Sequence, residues 1–305
     1  MNSLLDKIVE RCRPLAENGN VATYIPELSK ADKNDLALSV YTLDQKLHSS
    51  GDFSKKFTMQ SVSKVPNLLC CLNDSPRDKI FEKVSIEPTS DGFNSIVNLE
   101  TKNENKPLNP FINSGAIVCV TFIAGKNSNE RCDRVRHFMR EVTGNKDIDF
   151  DESVYLSEKQ TGSRNRALAY YMKSTGIIQG DVEDILDSYF KICSLSVTCE
   201  DLARLGAVLA NDGILPGTRK RIFPRDDAKI AKSAMALCGM YDESGEFAVS
   251  VGIPGKSAVS GAILGAVPGK MGVAVYGPAL NKFGTSVAGS KCLEMLSKEL
   301  DLGIY

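Results

Sequence analysis

Hydrophobic and polar positions change period along the chain, and each period predicts a different element. Apolar positions near the N-terminus recur at helical spacing and predict a helix over 3–17, which ends at the Asn18-Gly19-Asn20 turn. The run LALSVYTL predicts a strand over 36–43, with 45–51 as its hairpin partner. From 57 to 72 the pattern is helical again.

The middle of the chain is a helical block, and strands return near the C-terminus. Residues 76–110, rich in Pro, Asn, Asp, Ser and Gly, predict a long structured loop. Helical patterns follow over 113–125, 129–144, 163–176, 181–191 and 199–211. Short Val- and Ala-rich stretches then predict three consecutive antiparallel strands and a last helix, over 246–252, 257–267, 271–277 and 286–300.

Strands near both ends with helices between them predict an α/β (α+β) fold. We expect an antiparallel sheet flanked by helices, plus an all-helical insertion. The sheet domain is predicted over 1–64 and 220–305, and the mainly helical insertion over 65–219. The active site is expected between the two parts.

Composition narrows the function. The 37 Lys and Arg against 38 Asp and Glu leave a net charge of −1, which disfavours a general nucleic-acid binder. The charged N-terminal stretch lacks the apolar core of a signal peptide, and no apolar run approaches the roughly 18 residues of a membrane span. The nine cysteines, an odd number, predict reduced and mostly buried thiols in a cytoplasmic protein. With His48 and His137 as the two histidines, a Cys/His metal cage is not expected.

Ser61-Val62-Ser63-Lys64 is the candidate for chemistry. On a helix, positions i and i+3 share a face, so the Ser61 hydroxyl and the Lys64 amine are expected side by side. Pro66 favours a helix that begins just before Lys64, which places Ser61 at a helix N-terminus. The same spacing recurs over 188–191, so the motif alone is also compatible with an ordinary surface helix.

Further residues favour a catalytic motif over an ordinary surface helix. A Lys-Ser/Thr-Gly-like triplet on a C-terminal strand is the second element of serine enzymes of this kind, and Lys256-Ser257-Ala258 begins a predicted strand. Gly255-Lys256-Ser257 also resembles the end of a phosphate loop, but the first Gly of that motif is missing and a strand, not a helix, follows.

Many ordered motifs resemble the serine-dependent, β-lactamase-like glutaminases, and bacterial-type members in particular. The resemblance extends from Val21 to Gly289. Its motifs are VATYIPEL (21–28), QSVSKV (60–65), FNSIVNLE (93–100), NPFINSGAI (109–117), SRNRALAYYMKSTG (163–176), YFKICSLSVTCEDLA (189–203), CGMYDESGEFAVSVGIPGKS (238–257) and AVPGKMGVAVYGPAL (266–280). The fold implied is that of the serine β-lactamases and DD-peptidases.

The resemblance implies hydrolysis of L-glutamine to L-glutamate and ammonia. Ser61 would be the nucleophile and Lys64 its base, with the backbone N–H groups of Ser61 and Val259 as the oxyanion hole. Tyr241 matches a tyrosine that relays protons beside the nucleophile. Tyr24 matches a second active-site tyrosine. No metal, nucleotide or organic cofactor is implied, and the family's assembly implies a homodimer or homotetramer.

The substrate contacts of the family carry over to four further residues. Asn113 matches a substrate-binding asparagine, and Glu158 would face the α-amino group. Asn165 and Tyr189 would face the α-carboxylate. Without the resemblance, the sequence would indicate that Glu158 is a solvated surface carboxylate and that Tyr189 is a core residue.

Three departures leave alternatives open. Ala258, Ser260 and Ala262 stand where the family usually has glycine. A methyl at Ala258 is expected to narrow the pocket or to shift the Val259 N–H. The alternatives are therefore a weakened paralogue that binds glutamine or glutamate without efficient turnover, and a related serine amidohydrolase.

Overall fold

The computed structural model describes residues 1–89, 91–101 and 105–305. A five-stranded antiparallel sheet has the order β2-β1-β7-β6-β5, so its strands come from both ends of the chain. Its strands are β1 (Ala37–Thr42), β2 (Leu47–Gly51), β5 (Gly255–Ser257), β6 (Ala262–Val267) and β7 (Met271–Tyr276). A separate two-stranded sheet pairs β3 (Phe57–Thr58) with β4 (Ser196–Val197).

Thirteen α-helices occur within the described residues. They are α1 (Asn2–Cys12), α2 (Lys64–Asp74), α3 (Arg77–Lys83), α4 (Val97–Thr101), α5 (Asn113–Val120), α6 (Ser128–Thr143), α7 (Glu152–Thr161), α8 (Ser163–Ser174), α9 (Val182–Cys193), α10 (Cys199–Ala210), α11 (Arg225–Cys238), α12 (Ser244–Ser250) and α13 (Val287–Leu300). The boundary between a sheet domain and a helical insertion stays a prediction.

Alternation along the strands gives the sheet two different faces. In β7, Ala274 and Tyr276 face the large core shared with the helical block, whereas Val273 and Val275 face a second core under α1 and α13. Small residues on the first face let α10 approach closely. A Cβ added at Gly206 of α10 would lie 2.4 Å from a backbone oxygen of β6. Side-chain size therefore sets how near α10 lies to the sheet.

The β1–β2 hairpin and most of the long helices agree with the sequence prediction. Thr198 caps α10 through a reciprocal bond with Asp201, and Asn127 caps α6. The N-terminal helix is shorter than predicted: α1 ends at Cys12, and the chain continues as a 3₁₀ helix over Arg13–Asn18, where Pro14 lies. The apolar positions of these helices recur at helical spacing, so the helices could be predicted from the sequence.

Several predicted elements were wrong. The strand expected over 246–252 is the helix α12, in which Phe247 packs inward while Val249 is 91% exposed, a helical rather than alternating pattern. The single strand expected over 257–267 is two strands, because Gly261 has φ +94° and turns the chain.

Four segments hold structure that the sequence prediction did not assign. The loop expected over 76–110 contains α3 and α4 within its described part, and residues 90 and 102–104 lie outside the described residues. The helical run expected over 57–72 begins as the short strand β3. The helices α7 and α11 were missed altogether.

Candidate active site

Ser61 lies in a 3₁₀ helix over Gln60–Ser63, which leads directly into α2 at Lys64. The predicted helix start is confirmed, and Pro66 lies in the first turn of α2, where a missing N–H costs no helical bond. Gln60, just before Ser61, has φ +46° and is 3% exposed. A non-glycine residue in this region is strained, and such strain concentrates at functional sites.

Lys64 is fully buried, and its Nζ has three polar neighbours. The distances are 3.0 Å to the carbonyl oxygen of Phe111, 2.7 Å to Oδ1 of Asn113 and 3.0 Å to the hydroxyl of Tyr241. The first two oxygens can only accept, so Nζ donates to both. Nζ donates to the tyrosine hydroxyl as well, so the Lys64 side chain joins Asn113 and the main chain at Phe111 to Tyr241.

Tyr241 connects Ser61 to this lysine. Its hydroxyl is hydrogen-bonded to Ser61 as well as to Lys64. Within the described residues the link from Ser61 to Lys64 runs through Tyr241, rather than directly across a helix face as the sequence suggested. Tyr241 has φ +54°, a second strained backbone position at this site.

Lys256 is a cation that the sequence prediction did not include among the site residues. It is fully buried in β5, its Nζ lies 4.0 Å from the centre of the Tyr241 ring, and it donates to the carbonyl oxygens of Gly239 (2.9 Å) and Ser257 (2.7 Å). The triplet motif was a signal for this residue. Its side chain contacts main chain near Tyr241, which a motif alone does not show.

The electrostatics of Tyr241 and Lys256 are coupled. Burial raises the pKa of the tyrosine, but the Lys256 and Lys64 cations and hydrogen bonds from Ser61 and Lys64 bring that pKa down to about 8. Burial likewise lowers the pKa of Lys256 to about 8, against the opposing attraction of Tyr241. Both groups therefore change charge near physiological pH.

A cavity of about 90 Å³ opens beside Ser61. Its lining includes six of the residues predicted from the sequence, namely Tyr24, Ser61, Asn113, Glu158, Asn165 and Tyr189. Lys64 and Tyr241 lie behind this wall and reach it through their hydrogen bonds. Residues from five separate stretches of sequence therefore converge on one pocket.

Glu158, in the last turn of α7, supplies a carboxyl group to this cavity. It is 7% exposed, it is hydrogen-bonded to Gln60, and its Oε2 has no hydrogen-bond partner within the described residues. Burial raises its pKa to about 8, although the Gln60 hydrogen bond and the Lys64 charge oppose the shift. A buried carboxyl with a free oxygen is a ready site for a cationic group.

Asn113, Asn165 and Tyr189 form a chain of neutral polar groups along the opposite wall. Asn113 donates to Oδ1 of Asn165 at 2.9 Å, and the Tyr189 hydroxyl donates to Oδ1 of Asn113 at 3.3 Å. Because Lys64 also bonds that Oδ1, the Asn113 side chain connects Lys64 to Asn165 and Tyr189. The pKa of Tyr189 lies well above its usual value because the phenol is buried, so it remains a donor.

Tyr24 lines the cavity beside Ser61, whereas Val259 does not. Val259 occupies the turn between β5 and β6, which is closed by hydrogen bonds from Ala258 to Ala262 and from Gly261 to Ala258, each 2.9 Å. The Val259 N–H has no acceptor within the described residues. Tyr24 is 55% exposed and lines a shallow groove together with Val259.

The residues that replace family glycines lie away from the cavity. Ala258 and Ala262 are 1% and 0% exposed, belong to the large hydrophobic core, and do not line the cavity beside Ser61. Ser260 faces a different cleft, of about 580 Å³. The expected narrowing of the pocket by the Ala258 methyl is therefore absent.

Comparison with known proteins agrees with this geometry. The family model described as Glutaminase matches residues 19–305. The chain belongs to the glutaminase family. A glutaminase of Clostridium botulinum is 55% identical over 305 residues, with all of both chains covered, and one of Clostridium tetani is 54% identical over the same span.

Solved glutaminases share the fold. The covalent complex of a Bacillus subtilis glutaminase with 5-oxo-L-norleucine has a TM-score of 0.91 and 35% identity, covering 100% of this chain and 99% of that one. A probable Bacillus subtilis glutaminase has a TM-score of 0.93 at 36% identity, covering 100% and 97%. The predicted serine β-lactamase-like architecture of the family is thereby confirmed.

Two further properties concern the described residues. Within 1–89, 91–101 and 105–305, no helix has both the length and the apolar character that crossing a bilayer requires. In the same ranges no group of three or more His, Cys, Asp or Glu side chains is arranged to hold a metal ion.

Proposed function

We propose that the protein hydrolyses L-glutamine to L-glutamate and ammonia through a γ-glutamyl ester on Ser61. The observation that carries this proposal is the hydrogen-bonded chain from Ser61 through Tyr241 to Lys64, which opens onto a cavity holding the buried carboxyl of Glu158. The related Bacillus subtilis glutaminase forms a covalent complex by reaction with a diazo ketone analogue, 6-diazo-5-oxo-L-norleucine.

In the acylation step the Ser61 oxygen attacks the side-chain amide carbon of glutamine. The serine proton passes to Tyr241 while the tyrosine proton passes to the lone pair of Lys64, so one net proton reaches the lysine. Collapse of the tetrahedral intermediate breaks the C–N bond, and the same chain returns the proton to the leaving nitrogen. Ammonia departs and the serine ester remains.

The oxyanion of the intermediate needs donors already in place. The N–H groups of Ser61 and Val259 supply them, since both lie at turns where backbone donors are unused within the described residues. The strand β5 contacts the 3₁₀ helix that contains Ser61, and this contact fixes the positions of the two N–H groups relative to each other. Water then attacks the ester, with the Tyr241–Lys64 pair as base, and releases glutamate.

The head group of glutamine determines specificity. Glu158 accepts from the α-ammonium through its free Oε2, and the ligand's charge favours the ionised carboxylate. Asn165 and Tyr189 donate to the α-carboxylate, and Tyr24 covers the mouth. An amide without this head group leaves a buried carboxyl unpaired, which argues against a general serine amidohydrolase.

The weakened-paralogue alternative is less favoured, because the Ala258 and Ala262 methyls lie in the core and do not narrow the cavity beside Ser61. Nine free, buried cysteines support a reducing compartment, and we propose the cytoplasm. A homodimer or homotetramer stays a prediction, which light scattering after gel filtration tests.

The test compares Ser61→Ala with Ser63→Ala. Both serines lie in the same 3₁₀ helix, but the Ser63 hydroxyl contacts Cys193 rather than Tyr241. We expect equal release of ammonia and glutamate by the native protein, loss of both with Ser61→Ala, and retention with Ser63→Ala. The diazo ketone analogue should lose N₂ and add the mass of the remaining 5-oxo-L-norleucine to the peptide containing Ser61. Turnover retained by Ser61→Ala would overturn the proposal.

A further inference from the structure

One carboxylate outside the pocket joins three helices of the helical block. Asp187 of α9 accepts from Tyr155 and Lys159 of α7 through Oδ1, and from Ser128 of α6 and Lys191 of its own helix through Oδ2. The distance to Lys159 Nζ is 2.6 Å and that to Lys191 Nζ is 2.7 Å. All four lone pairs of the carboxylate are therefore used.

The two α7 partners flank the residue that would bind the substrate ammonium. Tyr155 and Lys159 are four positions apart and share a face of the helix. Glu158 lies between them, next to Lys159, and points into the cavity. Fixing Tyr155 and Lys159 to Asp187 thus fixes both the rotation and the depth of the helical turn that carries Glu158.

Glu158 depends on this anchoring because it has few bonds of its own. Its hydrogen bond to Gln60 leaves Oε2 free of any partner within the described residues. The position of that oxygen is consequently set by the placement of α7. Removing a carboxylate from water costs free energy, and a hydrogen bond to an ammonium group offsets that cost. Small shifts of α7 would lengthen this bond and so lower the affinity for the substrate.

Through its own helix, α9, Asp187 also affects the opposite wall of the pocket. Tyr189 follows Asp187 by two residues in α9 and lies on the cavity side, bonded to Asn113. Lys191, in the next turn, also bonds Asn129 of α6 at 2.7 Å. Asp187 therefore sets the separation of two pocket walls, one with Glu158 and one with Tyr189.

We propose that Asp187 is a positioning residue for amino-acid recognition, which holds α7 against α9 so that Glu158 and Tyr189 grip the head group of the substrate. The role rests on the proposed function, since it concerns glutamine affinity, but Asp187 touches neither substrate nor reacting atoms. The carboxylate is thereby assigned to the binding of the ligand and not to the chemical step.

The experiment compares Asp187→Asn with Asp184→Asn. In the first variant an NH₂ group replaces one oxygen and faces two donors. Asp184, one turn earlier in α9, pairs with Arg131 of α6 and makes no bond to α7, so it is a matched control. Lys159→Met removes the α7 arm alone and serves as a second variant should Asp187→Asn fold poorly.

We expect Asp187→Asn to raise KM about tenfold, with kcat within about twofold of the native value. Lys159→Met should raise KM severalfold, and Asp184→Asn should lower the urea midpoint while leaving KM unchanged. An unchanged KM in both Asp187→Asn and Lys159→Met would overturn the proposal, as would an equal KM increase in Asp184→Asn.

Glutamate binding separates this proposal from the proposed function. The rise in unfolding temperature on adding glutamate should be smaller in Asp187→Asn than in the native protein or Asp184→Asn. This readout needs no turnover, so absence of glutaminase activity would contradict the proposed chemistry alone. Equal thermal shifts in all three proteins would contradict the positioning role alone.

Discussion

Lys256 holds its ammonium nitrogen 4.0 Å from the centre of the Tyr241 ring, while the tyrosine hydroxyl lies 3.0 Å from Lys64. The phenol thus lies between two lysines, and both favour loss of its proton. The two cations hold the pKa of Tyr241 at about 8, below its usual value, although burial opposes them. In the proposed mechanism the deprotonated site supplies the base for Ser61.

The first prediction concerns the pH dependence of kcat. Activity should rise with pH through about 8, where the pKa of Tyr241 lies, because protonation below that point leaves no base. Lys256→Met removes a cation that favours deprotonation of Tyr241, so the pKa of Tyr241 should rise. The rising limb of the pH profile should then move to higher pH by about one unit. Lys270→Met, on the exposed turn before β7, is the control. An unmoved limb would show that Lys256 does not act on the pair.

The second prediction is that Glu158 lowers the stability of the folded protein but increases its affinity for the substrate. Its pKa is raised from 4.5 to about 8 by burial, so the folded state holds a proton that the unfolded state has released between these pH values. Folding therefore loses stability as pH rises through this window. Glu158→Gln removes the ionisable group and should stabilise the protein by about 1–3 kcal/mol at pH 7.

The same variant should lose affinity for the amino acid. Without a carboxylate facing the ammonium, KM for glutamine should increase at least about a hundredfold. Urea unfolding at pH 5 and pH 8 measures the first effect, and the stability difference should be the smaller at pH 5. Glu158→Gln with native KM would remove this residue from the recognition of the head group.

The third prediction concerns Ala258, where the family usually has glycine. Because its methyl is buried in the core rather than in the pocket, Ala258→Gly should not increase kcat/KM. It should reduce the free energy of unfolding by about 1 kcal/mol through lost packing and greater chain entropy. Steady-state kinetics with thermal unfolding measures both. A severalfold gain in kcat/KM would mean that the methyl does displace the Val259 N–H.

The fourth prediction tests the contact of α10 with the sheet. A Cβ at Gly206 would lie 2.4 Å from the backbone oxygen of Gly265 and 3.0 Å from the Cα of Gly272, and neither can move as a flexible side chain would. Gly206→Ala should destabilise the protein by about 3 kcal/mol or more. Gly245→Ala, in α12 with open space around it, should be neutral or slightly stabilising. Denaturant midpoints compare the two.

Elements with strong local signals were predictable from sequence. The capping residues of α6 and α10 and the pattern of β1 and β2 act over short distances, so the elements could be assigned without knowledge of the fold. The pattern over 246–252 misled because its β-branched residues suggest a strand. Tertiary packing selects a helix there, with Phe247 inward, and no local signal contains that information.

The candidate site was predictable to a different extent. Resemblance of motifs identified the pocket residues, and six of them line one cavity. The resemblance also pointed to Tyr241, but the residue pattern alone did not, because its place beside Ser61 depends on φ +54° at that residue and on a segment far from Ser61 in sequence. Asp187 was hidden too, since its importance comes from partners on three helices and not from any motif.

The pairing of β1 with β7, in which Ala37 faces Tyr276, has a consequence for synthesis of the protein. The middle of the sheet cannot close until Tyr276 has left the ribosome, late in a chain of 305 residues. Until then the β1–β2 hairpin presents an unpaired edge and the apolar face of α1 lacks its partner α13. An emerging chain therefore exposes both this strand edge and this apolar helix face until β7 and α13 are available to cover them.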